Sequence, residues 1–292
     1  MRVLILRSRE GWHIDRLEEA LLAAGADVLK GSIDGMILRL GAGRGLDMEE
    51  VAVRGVDAVI VRIIPPGSME GLLFRMNALR MARTLGVKVI NSPEAIEKTV
   101  DKSWTSQILD TAGLPTPRTV VCERFDDAMA AFERMRDVVV KPLIGSCGRG
   151  LMRICETDMA YRVFRTMEMN RYVYYIQEYL ECGGEDIRLF VAGGHVVAAM
   201  KRRGAGWKAN FHAGGAVSVH EPTDIQADMA IRACAELGLD YGGVDILTTG
   251  DGQEYLIEVN GIPGWKGLQK TTSVDIAERI VSAALYGQKI ET

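Results

Sequence analysis

Apolar residues run along this chain in two rhythms. Val3–Leu6, Ala58–Arg62 and Val87–Ile90 are short apolar runs of the kind that form buried strands. Asp15–Ala24 and Leu72–Leu85 instead space their apolar residues by three and four, as helices do, and Gly25 closes the first. The first hundred residues therefore alternate strand and helix, which predicts a parallel α/β layer. After NSPEAIEKTVDKSW a further helix is expected to about Ala112. GLPTPRT reads as an extended connector and a domain boundary, because Pro115 and Pro117 resist helix.

Beyond the connector, VVVKPLIGSCGRGLMRI has the form strand, glycine-rich loop, strand. Lys141 closes the apolar run Val138–Val140, and Gly145, Ser146, Gly148 and Gly150 give a loop with little side-chain bulk. Such a loop can fold its backbone N–H groups over phosphate oxygens, with Lys141 neutralising them. The same pattern also suits an ordinary hairpin turn with a surface lysine. A Walker or dinucleotide-binding fingerprint is excluded, since Arg153 and Ile154 continue as strand where a helix would have to open.

The last third is a series of strands. In YYIQEYLECGGEDIRLFVAGGHVVAAMKRRG a strand is followed by a hairpin around Gly193 and Gly194, with Asp186 and Arg188 on one face. In GGVDILTTGDGQEYLIEVNG a turn at Gly250–Gly252 brings Asp245 back alongside Glu258 and Asn260. Glu258 and Asn260, two residues apart, share a face of an otherwise apolar strand. Three oxygen ligands of this type suit Mg²⁺, which takes a few carboxylates and completes its shell with substrate phosphates. The competing reading is a solvated hairpin with incidental acids.

Composition narrows the function classes. The chain has 292 residues, 48% apolar and 25% charged, enough for two or three compact domains. A net charge of −4 and a pI near 5.7 give no broad footprint for nucleic acid, so bound phosphate is expected in a local site. Five cysteines without CxxC spacing argue against a disulfide framework or zinc cluster and fit a reducing compartment. The opening apolar run is too short for a signal peptide, and no stretch approaches the roughly 20 apolar residues of a membrane span. A cytoplasmic protein without nucleic-acid or membrane partners is expected.

In NSPEAIEKTVDK, VVVKP with GSCGRG, QEYL, GEDIRLFV, VVAAMKRRG, AGGAVSV, GVDIL and IEVNGIPGWKGLQKTTSVDIA, the chain resembles ATP-grasp enzymes of the RimK family of glutamate ligases, over roughly 91–277. The resemblance implies an ATP-grasp fold of α/β (α+β) class behind an N-terminal parallel α/β domain at 1–95. A lid subdomain with its linker helix would occupy 96–180, and a metal-binding subdomain 181–292. It implies that Lys102 and Lys141 contact ATP phosphates beneath the GSCGRG loop. Gln177, Glu178, Tyr179 and Leu180 become the hinge that reads adenine, and Asp186 the acid near the ribose and acceptor. Asp245, Glu258 and Asn260 become ligands of Mg²⁺ (or Mn²⁺).

The implied reaction joins L-glutamate to an acceptor carboxylate through an acyl phosphate. Arg188, Arg202 and Arg203 are candidates for holding phosphate or carboxylate oxygens, because guanidinium groups engage them bidentately. Neighbours on a strand point oppositely, so one of Arg202 and Arg203 faces solvent; Arg188 and Arg203 are assigned to catalysis. WKANFHAGG departs from the family element: Lys208 and Ala213 stand where arginines are usual, while Asn210 is retained. Lys208 and Asn210 are therefore expected at the cofactor site, Asn210 contacting nucleotide or metal, and Ala213 leaves the substrate contacts open.

His212 is expected to position that loop, and Cys147 to be structural. Met159–Met169 is expected to pack as a lid helix, and Trp104 and Trp265 to pack in the core or rim. VRIIPPGSMEG, FRMNALR and PGWKGLQ look closest to the branch that extends tetrahydromethanopterin-type cofactors. A ribosomal protein tail, a deazaflavin coenzyme and an amino-group carrier protein are the alternative acceptors. A D-alanine-type ligase and a regulatory nucleotide-binding module are the rival classes, and a homodimer or homotetramer is expected.

Overall fold

The computed structural model describes residues 1–145, 150–204, 206–207 and 216–286. The chain opens with β1 (Arg2–Arg7), α1 (Trp12–Ala23) and β2 (Asp27–Ser32). A small antiparallel sheet follows, made of β3 (Met36–Arg39), β4 (Gly45–Met48) and β5 (Val51–Ala52). The chain then returns as β6 (Ala58–Val61), α2 (Met69–Thr84) and β7 (Lys88–Ile90). These strands form a parallel sheet in the order β2-β1-β6-β7. Val3 and Ile5 pack on the α1 side, whereas Leu4 and Leu6 pack on the α2 side. A strand covered on both faces needs an unbroken apolar run, which is what the sequence has there.

Two helices lead away, α3 (Pro93–Val100) and α4 (Lys102–Thr111). Ser92 caps the first through a bond from the Ala95 N–H, with Pro93 in the first turn. The next unit comprises β8 (Thr119–Cys122), α5 (Phe125–Met135), β9 (Val138–Lys141), β10 (Met152–Ile154), α6 (Thr157–Met169) and β11 (Tyr174–Glu178). Its antiparallel sheet, β10-β9-β11-β8, packs against both helices around Phe132, Phe164 and Tyr174. The methionines of α6 are not its main packing surface: Ala160 and Phe164 are buried, while Met159 and Met169 are exposed.

The last unit holds β12 (Glu185–Ala192), β13 (His195–Arg203), β14 (Ala216–Val219), α7 (Asp224–Leu237), β15 (Tyr241–Thr248), β16 (Glu254–Asn260) and α8 (Ile276–Val281). Its antiparallel sheet runs β14-β13-β12-β15-β16. Met229, Ala233 and Leu237 of α7 cover one face, with Leu109 of α4 and Leu114 in the same cluster. The other face, through Phe190, Tyr241 and the fully buried Trp265, joins Val3, Ile5 and Leu17 of the first unit and Ile280 of α8 in one core. The first and last units thus share apolar packing, whereas the middle unit has its own core. The cleft lies where the middle unit meets the last.

Candidate active site

The cleft is lined by both apolar and charged side chains. Val139, Leu151, Leu180, Leu247 and Ile257 make a slot with Tyr179 and Trp207 at its rim. Lys102, Lys141, Asp186, Arg202, Asp245 and Glu258 bring charges of both signs to the same cleft. A cleft lined by apolar side chains and by fixed charges of both signs has the chemistry to take an aromatic base together with phosphates and a cation.

Local structure places each lysine. Asp101 caps α4, its Oδ1 accepting from the N–H groups of Ser103 (2.8 Å) and Trp104 (3.2 Å), which puts Lys102 at the first helical position. Lys102 Nζ donates to the Gly145 carbonyl at 2.7 Å. Lys141, the last residue of β9, donates to Gln177 Oε1 at 2.5 Å. Burial pushes Lys102 below the ordinary lysine range and brings Lys141 down to about 8, against the pull of Glu258 on both. Two cations so desolvated and facing one cleft are ready for an anionic ligand.

Gln177, Glu178, Tyr179 and Leu180 use their groups differently from one another. Gln177 is 4% exposed; besides meeting Lys141, its Nε2 donates to Thr119 Oγ1 (2.9 Å) and the Tyr175 hydroxyl (3.3 Å). Glu178 accepts from the backbone N–H and Nε of Arg118 at 2.7 and 2.6 Å. The amides of Glu178 and Tyr179 bond to the carbonyls of Arg118 and Asp137. The Tyr179 ring carries the Arg153 guanidinium at 3.4 Å. Of these four, Leu180 adds an apolar residue to the cleft lining.

Across β12, β13 and β15 lies a chain of alternating charges. Asp186 is paired with Arg202, which also reaches Asp245 Oδ2 at 2.9 Å, and Arg188 pairs with Asp245 through Nε and through Nη2 at 2.8 Å. Burial raises Asp186 to about 6, despite Arg202. Burial opposes the charge on Asp245 too, but two guanidinium groups overcome it and hold that carboxyl below the usual range. Burial also works against the Arg202 charge, and the two carboxylates outweigh it. Arg203 points the other way: its side chain is 69% exposed and pairs with Glu185 outside the cleft. Of the adjacent arginines, Arg202 therefore faces inward.

Asp245 lies opposite Glu258 and Gly243 opposite Asn260 in the β15–β16 ladder, so the three expected metal ligands occupy neighbouring positions on two strands. Asn260 Oδ1 accepts the Ile262 N–H at 2.9 Å, tying the strand to the loop that follows. Glu258 has neither an ion pair nor a hydrogen bond among the described residues, although Lys102, Lys141 and Glu258 all line the cleft. An unpartnered carboxylate beside a second one fits a divalent cation. No three His, Cys, Asp or Glu side chains converge as a metal cage among the described residues, so the remaining ligands of a bound ion would be Asn260, water and phosphate. Gly243 leaves room for this arrangement, since a Cβ there would lie 2.5 Å from Arg188 Nη1 and 2.9 Å from the Pro263 ring.

Ser146, Cys147, Gly148, Lys208, Asn210, His212 and Ala213 lie outside the described residues. The loop's two ends are described. Gly145 meets Lys102, and Gly150 has φ +77°, with Pro142 Cγ 2.7 Å from where a Cβ would stand. Sequence reasoning passed over Leu151, Leu247 and Ile257 of the slot, and Tyr175 and Ser106 behind Lys141. The slot residues carry only the alternating apolar signal of any strand. Tyr175 carries none, because its partner Ser106 is distant in the chain.

Residues 99–284 match the RimK-like ATP-grasp domain. The chain is 31% identical to the tetrahydromethanopterin:alpha-L-glutamate ligase of Methanosarcina acetivorans over 262 residues, covering 80% of this chain and 81% of that one. It is 36% identical over 235 residues to a Pseudomonas aeruginosa protein named "Probable alpha-L-glutamate ligase", covering 78% and 76%. Among solved structures, the ATP-grasp ligase PsnB with a phosphomimetic precursor variant, Mg and ADP aligns with TM-score 0.74 at 23% identity, over 98% of each chain. The fold is that of an ATP-grasp ligase, as the sequence motifs imply. The chain belongs to the RimK-like ATP-grasp family and is an ATP-dependent ligase that forms carbon–nitrogen bonds. No helix among the described residues is long and apolar enough to cross a membrane.

Proposed function

We propose that this enzyme joins L-glutamate to an acceptor carboxylate, with ATP consumed to ADP and phosphate. The observation that carries the reading is Glu258: a carboxylate opposite Asp245 with no hydrogen bond or ion pair among the described residues, in a cleft where its charge is the one that pulls on both desolvated lysines. ATP lies with its base in the Leu151–Leu180–Ile257 slot and its phosphates toward Lys102 and Lys141. With the Glu178 and Tyr179 amides already bonded, base pairing falls to the backbone of Leu180. Asp245, Glu258 and Asn260 hold Mg²⁺, which when bound offsets charge on the transferring phosphoryl group.

The acceptor carboxylate attacks the γ-phosphorus and ADP leaves, giving an acyl phosphate; the glutamate amine then displaces phosphate and loses a proton to form the amide. Arg188 and Arg202, pre-set by Asp245 and Asp186, are placed to meet the developing negative charge on oxygen. The acceptor approaches from the N-terminal sheet. A tetrahydromethanopterin-type cofactor is the acceptor supported by the named archaeal relative; the bacterial relative supports glutamate transfer without naming one. The test is ADP release with ATP, Mg²⁺ and single amino acids, followed by mass spectrometry of pterin, deazaflavin and protein-tail acceptors. L-Glutamate should be selected and one acceptor should gain a glutamyl unit. Preference for D-alanine, or no ADP release with any acceptor, contradicts the reading.

A further inference from the structure

Behind the cleft, a buried row of polar side chains connects the two elements that carry the lysines. Lys141 donates to Gln177 Oε1 at 2.5 Å, so the Gln177 amide nitrogen faces away and donates to Thr119 Oγ1 and the Tyr175 hydroxyl. Because the Tyr175 oxygen accepts there, its hydrogen is available to Ser106 Oγ, 2.7 Å away. Ser106 lies one turn beyond Lys102 on α4. Thr119 in turn donates to the Pro117 carbonyl in the connector. Tyr175 is 1% exposed, and burial raises its pKa, which keeps the phenol protonated.

The row crosses a structural seam. Lys141, Gln177 and Tyr175 belong to the middle unit with its own core, whereas α4 packs through Leu109 on the core of the last unit. Gln177 is a neutral acceptor, so it orients the Lys141 ammonium without cancelling its charge, as a carboxylate would.

We propose that Ser106, Tyr175 and Gln177 are positioning residues that set Lys141 relative to Lys102 across this seam, giving the triphosphate a prepared pair of cations. The inference rests on the reading of the cleft as an ATP site. Gln177 then acts through Lys141 and not by reading adenine.

The test is calorimetric titration of a non-hydrolysable ATP analogue with Mg²⁺ into the full-length protein, alongside KM for ATP and thermal midpoints. Tyr175→Phe keeps the buried ring and removes the hydroxyl, and Ser106→Ala removes its partner. Each should weaken nucleotide binding and raise KM for ATP about fivefold, the worth of one hydrogen bond, with KM for glutamate unchanged. Ser106→Thr, which retains a hydroxyl, should bind as wild type does. The double variant should be no weaker than Tyr175→Phe alone, because both break the same link. Wild-type affinity in Ser106→Ala, or losses that add in the double variant, overturns the proposal. An analogue that fails to bind the wild-type protein overturns the ATP reading itself.

Discussion

Arg202 lies opposite Asp186 on the neighbouring strand, and its Nε and Nη2 donate to the two carboxylate oxygens at 2.6 Å each. Arg202 also bonds Asp245, which it shares with Arg188, so its loss leaves Asp186 without its guanidinium and Asp245 with one of two. Breaking a buried pair leaves uncompensated charge, and Arg202→Met should lower unfolding stability by about 3–5 kcal/mol. Arg203→Ala, on the exposed side of the same strand, should stay within about 0.5 kcal/mol. Denaturant titration of both variants checks the contrast; equal losses would show that the network does not carry this weight.

Glu258→Gln replaces a carboxylate that makes no described hydrogen bond or ion pair, so the fold should be unaffected. Removing its charge should cost at least about 100-fold in glutamate-dependent ADP release, because metal and phosphate lose an anionic anchor. Activity within a few-fold of wild type, in a variant that melts normally, would contradict its placement beside the metal.

Nucleotide affinity should fall with rising pH. Burial lowers Lys141 from 10.5 to about 8, so the free protein loses this proton first, while bound phosphates favour the charged form. Binding above pH 8 must then take up a proton, and affinity at pH 9 should be about tenfold below that at pH 7. The same shift means that the folded state binds fewer protons than the unfolded chain between about pH 8 and 10.5, so this group adds stability as pH rises there. Titrations in buffers of different ionisation enthalpy measure the uptake, and a pH-independent affinity over this range would rule out a neutralised Lys141.

Gly150→Ala should disturb the end of the glycine loop. The residue sits at φ +77°, and the new methyl would meet the Pro142 ring at 2.7 Å. Left-handed backbone in a residue with a Cβ costs on the order of 1 kcal/mol, and the contact with Pro142 adds to it. Nucleotide binding should weaken several-fold, with a modest drop in thermal midpoint. A variant matching wild type in both would show that the loop end is free to adapt.

Much of this architecture is legible in the sequence where one rule decides. Val3–Leu6 is unbroken because β1 is covered on both faces, and Gly193–Gly194 marks the β12–β13 hairpin. The alternation that puts Glu258 and Asn260 on one face, joined to the Gly250–Gly252 turn, brings Asp245 opposite Glu258. Between residues 30 and 57 no period can be counted, because β3, β4 and β5 are four, four and two residues long. Alternation states that Arg202 and Arg203 diverge but not which turns inward; the pairing of β12 with β13 decides it. Gln177 reads as part of a hinge motif, and only the ladder between β9 and β11 shows its side chain beside Lys141. The residues most hidden from the sequence are those defined by a partner on another strand.

The central claim is that Asp245, Glu258 and Asn260 grip a divalent cation against a triphosphate held by Lys102 and Lys141. A crystal structure of the protein with a non-hydrolysable ATP analogue and Mn²⁺, the metal located by its anomalous signal, tests this most directly. The account predicts a metal bonded to Asp245, Glu258 and Asn260 and to phosphate oxygens at about 2.0–2.3 Å, with the base in the Leu180–Ile257 slot. A metal held by phosphates alone, with Glu258 and Asn260 turned away, or a nucleotide bound outside this cleft, would contradict it.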